Sequence, residues 1–229
     1  MSKLGWSLAA GAVGAFAAAT HLGTTWGSTP EERRRRLASD DLVSEPSFVS
    51  NHAITMRGRA DAVWPWLVQT GWHRAGWYTY RWVDQLLFPA NAPSATEILP
   101  EFQGLAVGDR VPDGPPESGC YFVVERMEAP HLLVLRSHTH LPPWPRDAWL
   151  DWVWTWSITD LESDRVRVHL RTRGVMGPPW LTLVYRAALW TDFVMARSHL
   201  RGLRERVESG APVMTNERRR GAGAAPAAT

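Results

Sequence analysis

Alternation of apolar and polar residues in the second half of the chain predicts antiparallel strands. In the clearest strand, Leu150–Asp160, three tryptophans and an isoleucine occupy every second position, and polar residues occupy most positions between them. The next strand, Arg165–Arg173, alternates aliphatic residues with arginines and a histidine, and residues 162–164 form the turn between the two strands. Because successive side chains of a strand point to opposite faces, we expect one face of this hairpin to be buried and the other to be wet.

Shorter elements precede this hairpin. Alternation predicts three further strands, at Phe48–Arg57, Gly119–Met127 and His131–His138. Apolar residues at helical spacing predict two short helices, at Ala60–Thr70 and Tyr80–Phe88. Residues 89–118 are rich in proline, glycine and aspartate, so we expect loops there.

A long helix follows the strands. Between Pro179 and Glu208 there is no internal proline, and apolar residues recur every three or four positions. The recurring positions are Leu189, Phe193, Ala196, Leu200, Leu203 and Val207. A helix of this length after antiparallel strands is expected to lie across the apolar face of the sheet. The predicted fold class is therefore α+β, with an antiparallel sheet wrapped around a long C-terminal helix.

The two ends of the chain differ in composition from this domain, which we place at residues 48–208. Residues 1–23 form an apolar N-terminal segment that is predicted to be helical, and residues 24–47 form a linker. Residues 209–229 form a tail whose glycine, proline, arginine and alanine content is typical of disorder.

The N-terminal segment has three interpretations. Residues 4–23 carry no charged side chain apart from one histidine, so they are expected to be a membrane anchor, a signal peptide or a helix packed on the domain or on a second chain. If they span a membrane, the arginines at 33–36 outweigh Lys3. The domain would then lie in the cytoplasm, anchored to the inner face of the cell membrane.

Composition narrows the class of function. The net charge is +2, and much of the arginine lies in two clusters at 33–36 and 218–220, outside the predicted domain, so we expect no nucleic-acid partner. The single cysteine, Cys120, excludes an intramolecular disulfide. The 14 tryptophans are many for 229 residues. Because tryptophan buries a large area and still offers an N–H, they indicate either a large aromatic-lined space or a tryptophan-rich core.

Several short stretches give the chain a family resemblance. Residues 63–71 (VWPWLVQTG) and 76–82 (GWYTYRW) resemble actinobacterial members of the SRPBCC superfamily. Further similar stretches lie at 25–32, 105–111 and 133–136. That superfamily groups START-like lipid carriers with polyketide cyclases and dehydrases. The resemblance extends over roughly residues 24–208, although Arg81 stands where these relatives are expected to have an acidic residue.

The resemblance implies the START-like helix-grip fold, with a cavity between the concave face of the sheet and the long helix. In this chain it places three predicted substrate contacts, Trp152, Trp154 and Trp156, on the sheet side of that cavity. Leu189 and Phe193 would contact the substrate from the helix side. Cavities of this kind are mostly apolar and hold a few placed polar groups.

The stretch at 72–80 combines aromatic and hydrogen-bonding side chains around a predicted loop. The predicted catalytic residues are Tyr78, Tyr80 and His73, and the predicted substrate contacts are Trp72, Arg74 and Trp77. Tyrosine hydroxyls can donate to a ligand carbonyl, and arginine can hold a carboxylate or an enolate. The alternative is structural, with Trp77 and Tyr80 anchoring the two short helices.

Two histidine positions are further candidates. His52 shares a strand face with apolar residues, so it is either a core histidine or a cavity group that contacts the substrate. His138 and His140 lie two residues apart, but no third ligand follows at a recognisable spacing, so we predict no metal site. His138 is instead expected at the cavity mouth or in a solvated loop. The chain lacks a glycine-rich phosphate loop, a nucleophile elbow and a Cys-x-x-Cys pair, so we predict no cofactor.

Together these features favour binding of a hydrophobic small molecule in a tryptophan-lined cavity. The leading hypothesis is cyclisation or dehydration of a polyketide-like or terpenoid-like compound, because an aromatic cavity can orient a flexible substrate. One alternative is a non-catalytic carrier or sensor of lipid-like ligands, held at a membrane by residues 4–23. Another is an interaction protein whose interior is filled by its own tryptophans.

Overall fold

The elements of the fold follow the predicted order along the chain. The structure is a computed structural model that describes residues 18–87, 92–141, 144–187 and 189–210. The described helices are α1 (residues 18–25), α2 (Pro30–Arg34), α3 (Ala60–Val68), α4 (Arg81–Leu87), α5 (Pro179–Ala187) and α6 (Leu189–Ser209). The described strands are β1 (Phe48–Arg57), β2 (Arg110–Pro112), β3 (Tyr121–Glu128), β4 (Leu132–Ser137), β5 (Trp149–Leu161) and β6 (Arg165–Gly177).

These six strands form one antiparallel sheet in the order β1-β6-β5-β4-β3-β2. The first strand pairs with the last, so that Ile54 lies opposite Val168. In the central hairpin, Trp156 lies opposite Leu170. Helix α6 packs against β1 and α3. The predicted α+β class, an antiparallel sheet with a long C-terminal helix across it, is therefore confirmed.

The main core lies between the sheet and helices α3 and α6. Val63, Trp66 and Leu67 enter it from α3, and Leu200 and Leu203 enter it from α6; each is at most 2% exposed. Burial of such a side chain stabilises the fold by about 1.5–3 kcal/mol relative to an exposed position. This packing fixes α6 over the sheet, and α6 in turn carries part of the cavity wall described below.

One strand and one helix junction differ from the prediction. β2 lies inside the stretch that we expected to be loop, where it pairs with β3 and buries only Val111. Three residues are too few for an alternating pattern to show. The helix predicted from Pro179 to Glu208 is two helices, α5 and α6. Because apolar residues keep helical spacing across the junction, periodicity alone does not reveal it.

Residues 29–45 cover part of the sheet face that we expected to be wet. Arg171 is only 2% exposed, and its guanidinium donates to the Asp40 carboxylate at 2.7 Å. It also donates to the main-chain carbonyls of Glu32 and Arg35, at 2.6 Å and 2.9 Å. The expectation of a wet face is therefore wrong here, because residues within the predicted linker supply acceptors for an arginine of β6. Alternation shows that a face is polar, but it does not show which segment covers that face.

The N-terminal part of the described chain packs along α6. Trp26, which follows α1, lies beneath the guanidinium groups of Arg197 and Arg201, at 5.6 Å and 5.8 Å from its ring centroid. No helix within the described residues is both long enough and apolar enough to cross a membrane. Most of the apolar N-terminal segment (residues 1–17) and most of the predicted tail (residues 211–229) lie outside the described residues.

Candidate functional site

A cavity of about 370 Å³ lies between the inner face of the sheet and helices α5 and α6. Its volume is in the range of small-molecule sites, about 300–1,000 Å³. Most of its lining is aromatic or aliphatic, from Trp77, Trp152, Trp154, Trp156, Leu170, Tyr185, Met195 and Ala196. The remaining lining residues are polar, namely Asp113, Thr191, Asp192 and His199.

Strand geometry builds the tryptophan wall of this cavity. Trp152, Trp154 and Trp156 alternate along β5 and therefore share one face, with successive ring centroids 5.4 Å and 6.5 Å apart. Trp77 follows α3 in the chain and stands edge-on to Trp154 at 5.7 Å. Such edge-to-face pairs contribute about 0.5–1.5 kcal/mol each beyond their buried area. The four indoles thus form one packed wall, and the sequence had singled out all four.

Asp192 is the carboxyl group on the helix side of the cavity. Its side chain is 12% exposed and accepts a hydrogen bond from the Ser50 hydroxyl at 3.3 Å. Burial raises the pKa of Asp192 to about 6, and the hydrogen bond from Ser50 opposes this rise. Near neutral pH both protonation states of the carboxyl group are therefore populated, as proton transfer in both directions requires.

His52 lies beside Asp192, on β1, and is fully buried. Its Nε2 atom is 4.0 Å from a carboxylate oxygen of Asp192, and neither ring nitrogen has a hydrogen-bond partner among the described residues. Burial lowers the pKa of His52 to about 4, with a further contribution from the nearby His169. At neutral pH the pair is therefore an uncharged imidazole beside a carboxyl group, not an ion pair. His52 does not belong to the cavity lining.

Two further polar side chains on the cavity wall were not among the predicted residues. His199, on α6, lies 4.8 Å from Trp156 and 5.9 Å from Trp77 between ring centroids, and burial lowers its pKa to about 3. Tyr185, on α5, lies 6.5 Å from Trp152, and burial raises its pKa well above the usual value. Both side chains are therefore uncharged at neutral pH.

Asp113 is the second carboxyl group of the cavity, and a chain of hydrogen bonds fixes it. Its Oδ2 atom is 2.9 Å from Nε2 of His140. The other ring nitrogen of His140 is 2.6 Å from the Ser137 hydroxyl, and the imidazole lies edge-on to Trp152 at 5.1 Å. Of the two histidines in the His138–His140 stretch, His140 is thus the one joined to the cavity lining.

Tyr78, a predicted catalytic residue, does not line the cavity. Its hydroxyl donates to the main-chain carbonyl of Trp66 at 2.7 Å and accepts from the Gln69 amide at 2.9 Å. Burial raises the pKa of Tyr78 above its usual value. The phenol is therefore buried and neutral, and its hydrogen bonds tie the loop to α3.

Apart from Trp77, the other predicted residues of this loop also lie outside the cavity lining. The Tyr80 hydroxyl accepts from Arg201 of α6 at 3.2 Å. His73 is exposed and stands edge-on to the buried Trp72 at 5.3 Å. Arg74 donates to main-chain carbonyls at the C-terminal end of α3, at 2.8 Å and 2.9 Å. Of the six loop residues singled out, the structure brings only Trp77 to the cavity.

Two further predicted residues, His138 and Phe193, do not line the cavity. The His138 side chain is 59% exposed, and its Nδ1 atom lies 2.9 Å from the Leu150 carbonyl oxygen. Phe193 packs edge-on against Trp190 at 5.7 Å. The side chain of Leu189 lies outside the described residues. Within the described part of the chain, no group of three or more His, Cys, Asp or Glu side chains could hold a metal ion.

The stripe of α6 that lines the cavity is displaced from the predicted one. It consists of Asp192, Met195, Ala196 and His199, which follow the i, i+3, i+4, i+7 spacing of one helical face. The predicted stripe ran through Phe193 and shared only Ala196 with this face. A signal was available in the sequence, since Asp192 and His199 lie seven residues apart and therefore on one helical face. A prediction from apolar periodicity does not use such polar positions.

Comparisons with known proteins give likenesses of fold at low sequence identity. No family model matches the chain, and no curated protein matches it. Protein MLL2253 from Mesorhizobium loti is 15% identical with a TM-score of 0.45, over 71% of this chain and 98% of that one. DynU16, from the dynemicin biosynthetic locus, is 18% identical with a TM-score of 0.37, over 72% and 48% of the two chains. CalU16 from Micromonospora echinospora is 12% identical with a TM-score of 0.34, over 70% and 84%.

Proposed function

We propose that the protein binds a hydrophobic small molecule in this cavity and promotes its cyclisation or dehydration by proton transfer through Asp192. One observation carries the proposal: a carboxyl group with a pKa of about 6 lies in a mostly apolar cavity whose lining includes four tryptophans. Catalytic acids and bases at neutral pH need a pKa near the working pH, and burial supplies that here.

The aromatic wall supports the binding part of the proposal. Four indoles and the ring of Tyr185 offer flat apolar surfaces to a ligand, and their mutual packing limits how far they can move. A flexible substrate pressed against such a wall loses conformational freedom before the reaction, so its reacting atoms are held close together. Cyclisation of a polyketide-like or terpenoid-like chain gains most from this effect.

Asp192 supports the chemical part, because one carboxyl group can both give and take the proton. In a dehydration, the protonated acid donates to the hydroxyl oxygen, and the C–O bond breaks to release water. The carboxylate then accepts the proton from the adjacent carbon as the C=C bond forms, which restores the acid. In a cyclisation, the acid protonates a carbonyl oxygen while the new C–C bond forms, and the carboxylate takes the proton from the attacking carbon.

The polar loop residues have a different role in this proposal. Because the hydroxyl of Tyr78 both donates and accepts within the protein, we assign Tyr78 a structural role in holding the loop that carries Trp77. Asp113, fixed by His140, is placed to accept a hydrogen bond from a second polar group of the ligand.

The test begins with native mass spectrometry of the full chain and denaturing extraction of any compound that came with it. The compound and its open-chain or hydrated precursor are then incubated with wild type, Asp192→Asn and Asp61→Asn, whose replaced carboxylate is exposed. Liquid chromatography with mass detection follows loss of water or a change in retention at constant mass. We expect conversion by wild type and Asp61→Asn, and a loss of about 100-fold or more in Asp192→Asn. Equal conversion by all three proteins would overturn the assigned role.

A non-catalytic carrier is the second candidate, and one surface feature favours it. Three large apolar side chains are exposed beside the cavity, namely Trp82 (58%), Leu86 (72%) and Trp190 (44%). They line a surface hollow that shares Thr191 with the cavity wall. Indole rings suit a membrane–water interface, so a carrier would load its ligand there, with residues 4–23 as a proposed second contact. Co-purified lipid that Asp192→Asn and wild type both release unchanged to vesicles would support this candidate over the enzyme.

A further inference from the structure

We infer that the ligand of this cavity carries a positively charged nitrogen on its apolar frame, and that the Asp192 carboxylate pairs with it. This inference rests on the cavity being a small-molecule site, as proposed above, and it adds the charge class of the ligand. Because a nearby cation keeps a carboxyl group ionised, Asp192 would bind such a ligand as a carboxylate and act as a proton acceptor, not as a proton donor. Three independent features of the described residues carry it: the charges on the lining, the missing counter-charge of Asp192, and the aromatic faces around it.

The charged groups of the lining are all of one sign. Asp113 and Asp192 are its carboxyl groups, and no arginine or lysine belongs to the described lining. The lining histidine, His199, is uncharged because burial lowers its pKa to about 3. A ligand carboxylate would therefore meet two acids and no cation, and like charges at close range in a low-dielectric site repel strongly. The cavity thus disfavours fatty acids and other anionic ligands.

Asp192 has no cationic partner among the described residues, whereas three other shielded carboxylates each contact an arginine. Asp40 lies 2.7 Å from Arg171, Asp151 lies 2.7 Å from Arg136, and Glu32 lies 2.8 Å from Arg167. Asp192 has only the Ser50 hydroxyl at 3.3 Å and the uncharged His52 at 4.0 Å. Buried charges in proteins are normally paired, so the ligand is the natural source of the missing cation.

The remaining walls of the cavity suit a cation as well. Trp77, Trp152, Trp154 and Trp156 line it together with Tyr185. The face of an aromatic ring carries negative potential, and cages of aromatic rings are one means by which proteins bind quaternary ammonium groups. An apolar molecule with an ammonium group can therefore contact the aromatic rings and also form an ion pair with Asp192.

The experiment uses three probes of one shape that differ only in charge: 1-naphthylmethylamine, 1-naphthalenemethanol and 1-naphthoic acid. Isothermal titration of the full chain at pH 7.5 measures the Kd of each for wild type, Asp192→Asn and the exposed-site control Asp61→Asn. We expect wild type and the control to bind the amine about tenfold more tightly than the alcohol, and the acid most weakly. In Asp192→Asn, the amine should fall to the affinity of the alcohol.

Each outcome decides a separate question. Equal affinity for amine and alcohol in wild type, or tightest binding of the acid, would overturn the inference while leaving the small-molecule site in place. Binding of none of the three probes would overturn the site and, with it, the inference. If Asp192→Asn does not fold, as judged by thermal unfolding, the comparison of the three probes on wild type decides alone.

Discussion

Replacing Asp192 by asparagine is expected to stabilise the protein at neutral and alkaline pH, although it removes the proposed catalytic group. The buried carboxyl group has a pKa of about 6 against an ordinary value of 3.8, so the folded state binds this proton more tightly than the unfolded chain does. At 1.36 kcal/mol per pKa unit, the ionised group destabilises the folded state by about 3 kcal/mol. Asparagine keeps nearly the same shape and can still accept from Ser50, which lies 3.3 Å away.

The sign of the pH dependence makes this prediction specific. The unfavourable contribution of Asp192 is fully present above pH 6 and disappears as pH falls from 6 towards 3.8, where both states become protonated. Asp192→Asn should therefore raise the free energy of unfolding by up to about 3 kcal/mol at pH 8, and by much less at pH 4.5. For a chain of this size, the gain at pH 8 corresponds to a rise in Tm of about 6–12 °C.

Urea unfolding followed by tryptophan fluorescence measures this effect at pH 8, 7, 6, 5 and 4.5. Asp61→Asn, at an exposed position, should leave stability within about 0.5 kcal/mol of wild type at every pH. A loss of stability in Asp192→Asn that is the same at pH 8 and pH 5 would refute the reasoning. That result would mean that the carboxylate is well paired in the folded protein and that its charge has no stability cost.

Three further substitutions test other parts of the structure. Because burial lowers the pKa of His199 to about 3, this imidazole takes up a proton only in the unfolded chain as pH falls below 6.5. The free energy of unfolding of wild type should therefore fall as the solution is acidified, and that of His199→Phe should fall about 1.4 kcal/mol less per pH unit. Urea titration below pH 6.5 measures this difference. Trp154→Ala should lower the free energy of unfolding by about 3–5 kcal/mol in the same assay at pH 7.5, and it should abolish binding of 1-naphthalenemethanol. A loss under about 1 kcal/mol would contradict the packing of the tryptophan wall. Asp40→Ala should lower the free energy of unfolding by about 3–5 kcal/mol, because it leaves the buried Arg171 without its carboxylate partner. Limited proteolysis of this variant should cut within residues 29–45. Resistance equal to that of wild type would contradict the covering role of that segment.

Elements with strong periodicity could be predicted from the sequence, and weakly patterned ones could not. β1 was predicted with its observed bounds, Phe48–Arg57, and the central hairpin was predicted to within a few residues. These strands are long, and their faces differ sharply in polarity, so the alternation is unambiguous. β2, with three residues, and the junction between α5 and α6 leave no such pattern.

Some residues of the cavity wall could likewise be predicted from the sequence, and others could not. The three tryptophans of β5 share a face by strand geometry alone, so their common placement follows from the sequence. Asp113 and Asp192 reach the cavity from a loop and from a helix whose rotation about its own axis is set by packing on α3 and β1. A rotation of α6 about its axis by one residue would bring Phe193 to the cavity in place of Asp192. Apolar periodicity does not predict the rotation of a helix to within one residue.

The central claim, that the tryptophan-lined cavity is a ligand site, can be tested by filling it. Ala196 lies on α6 in the cavity lining and is 8% exposed, so Ala196→Phe places a ring in the space proposed for the ligand, while Ala62→Phe adds the same ring at an exposed position of α3. Isothermal titration with 1-naphthalenemethanol should show one site per chain in wild type and Ala62→Phe, and no binding in a folded Ala196→Phe. Unchanged binding in Ala196→Phe would place the ligand elsewhere and contradict the account.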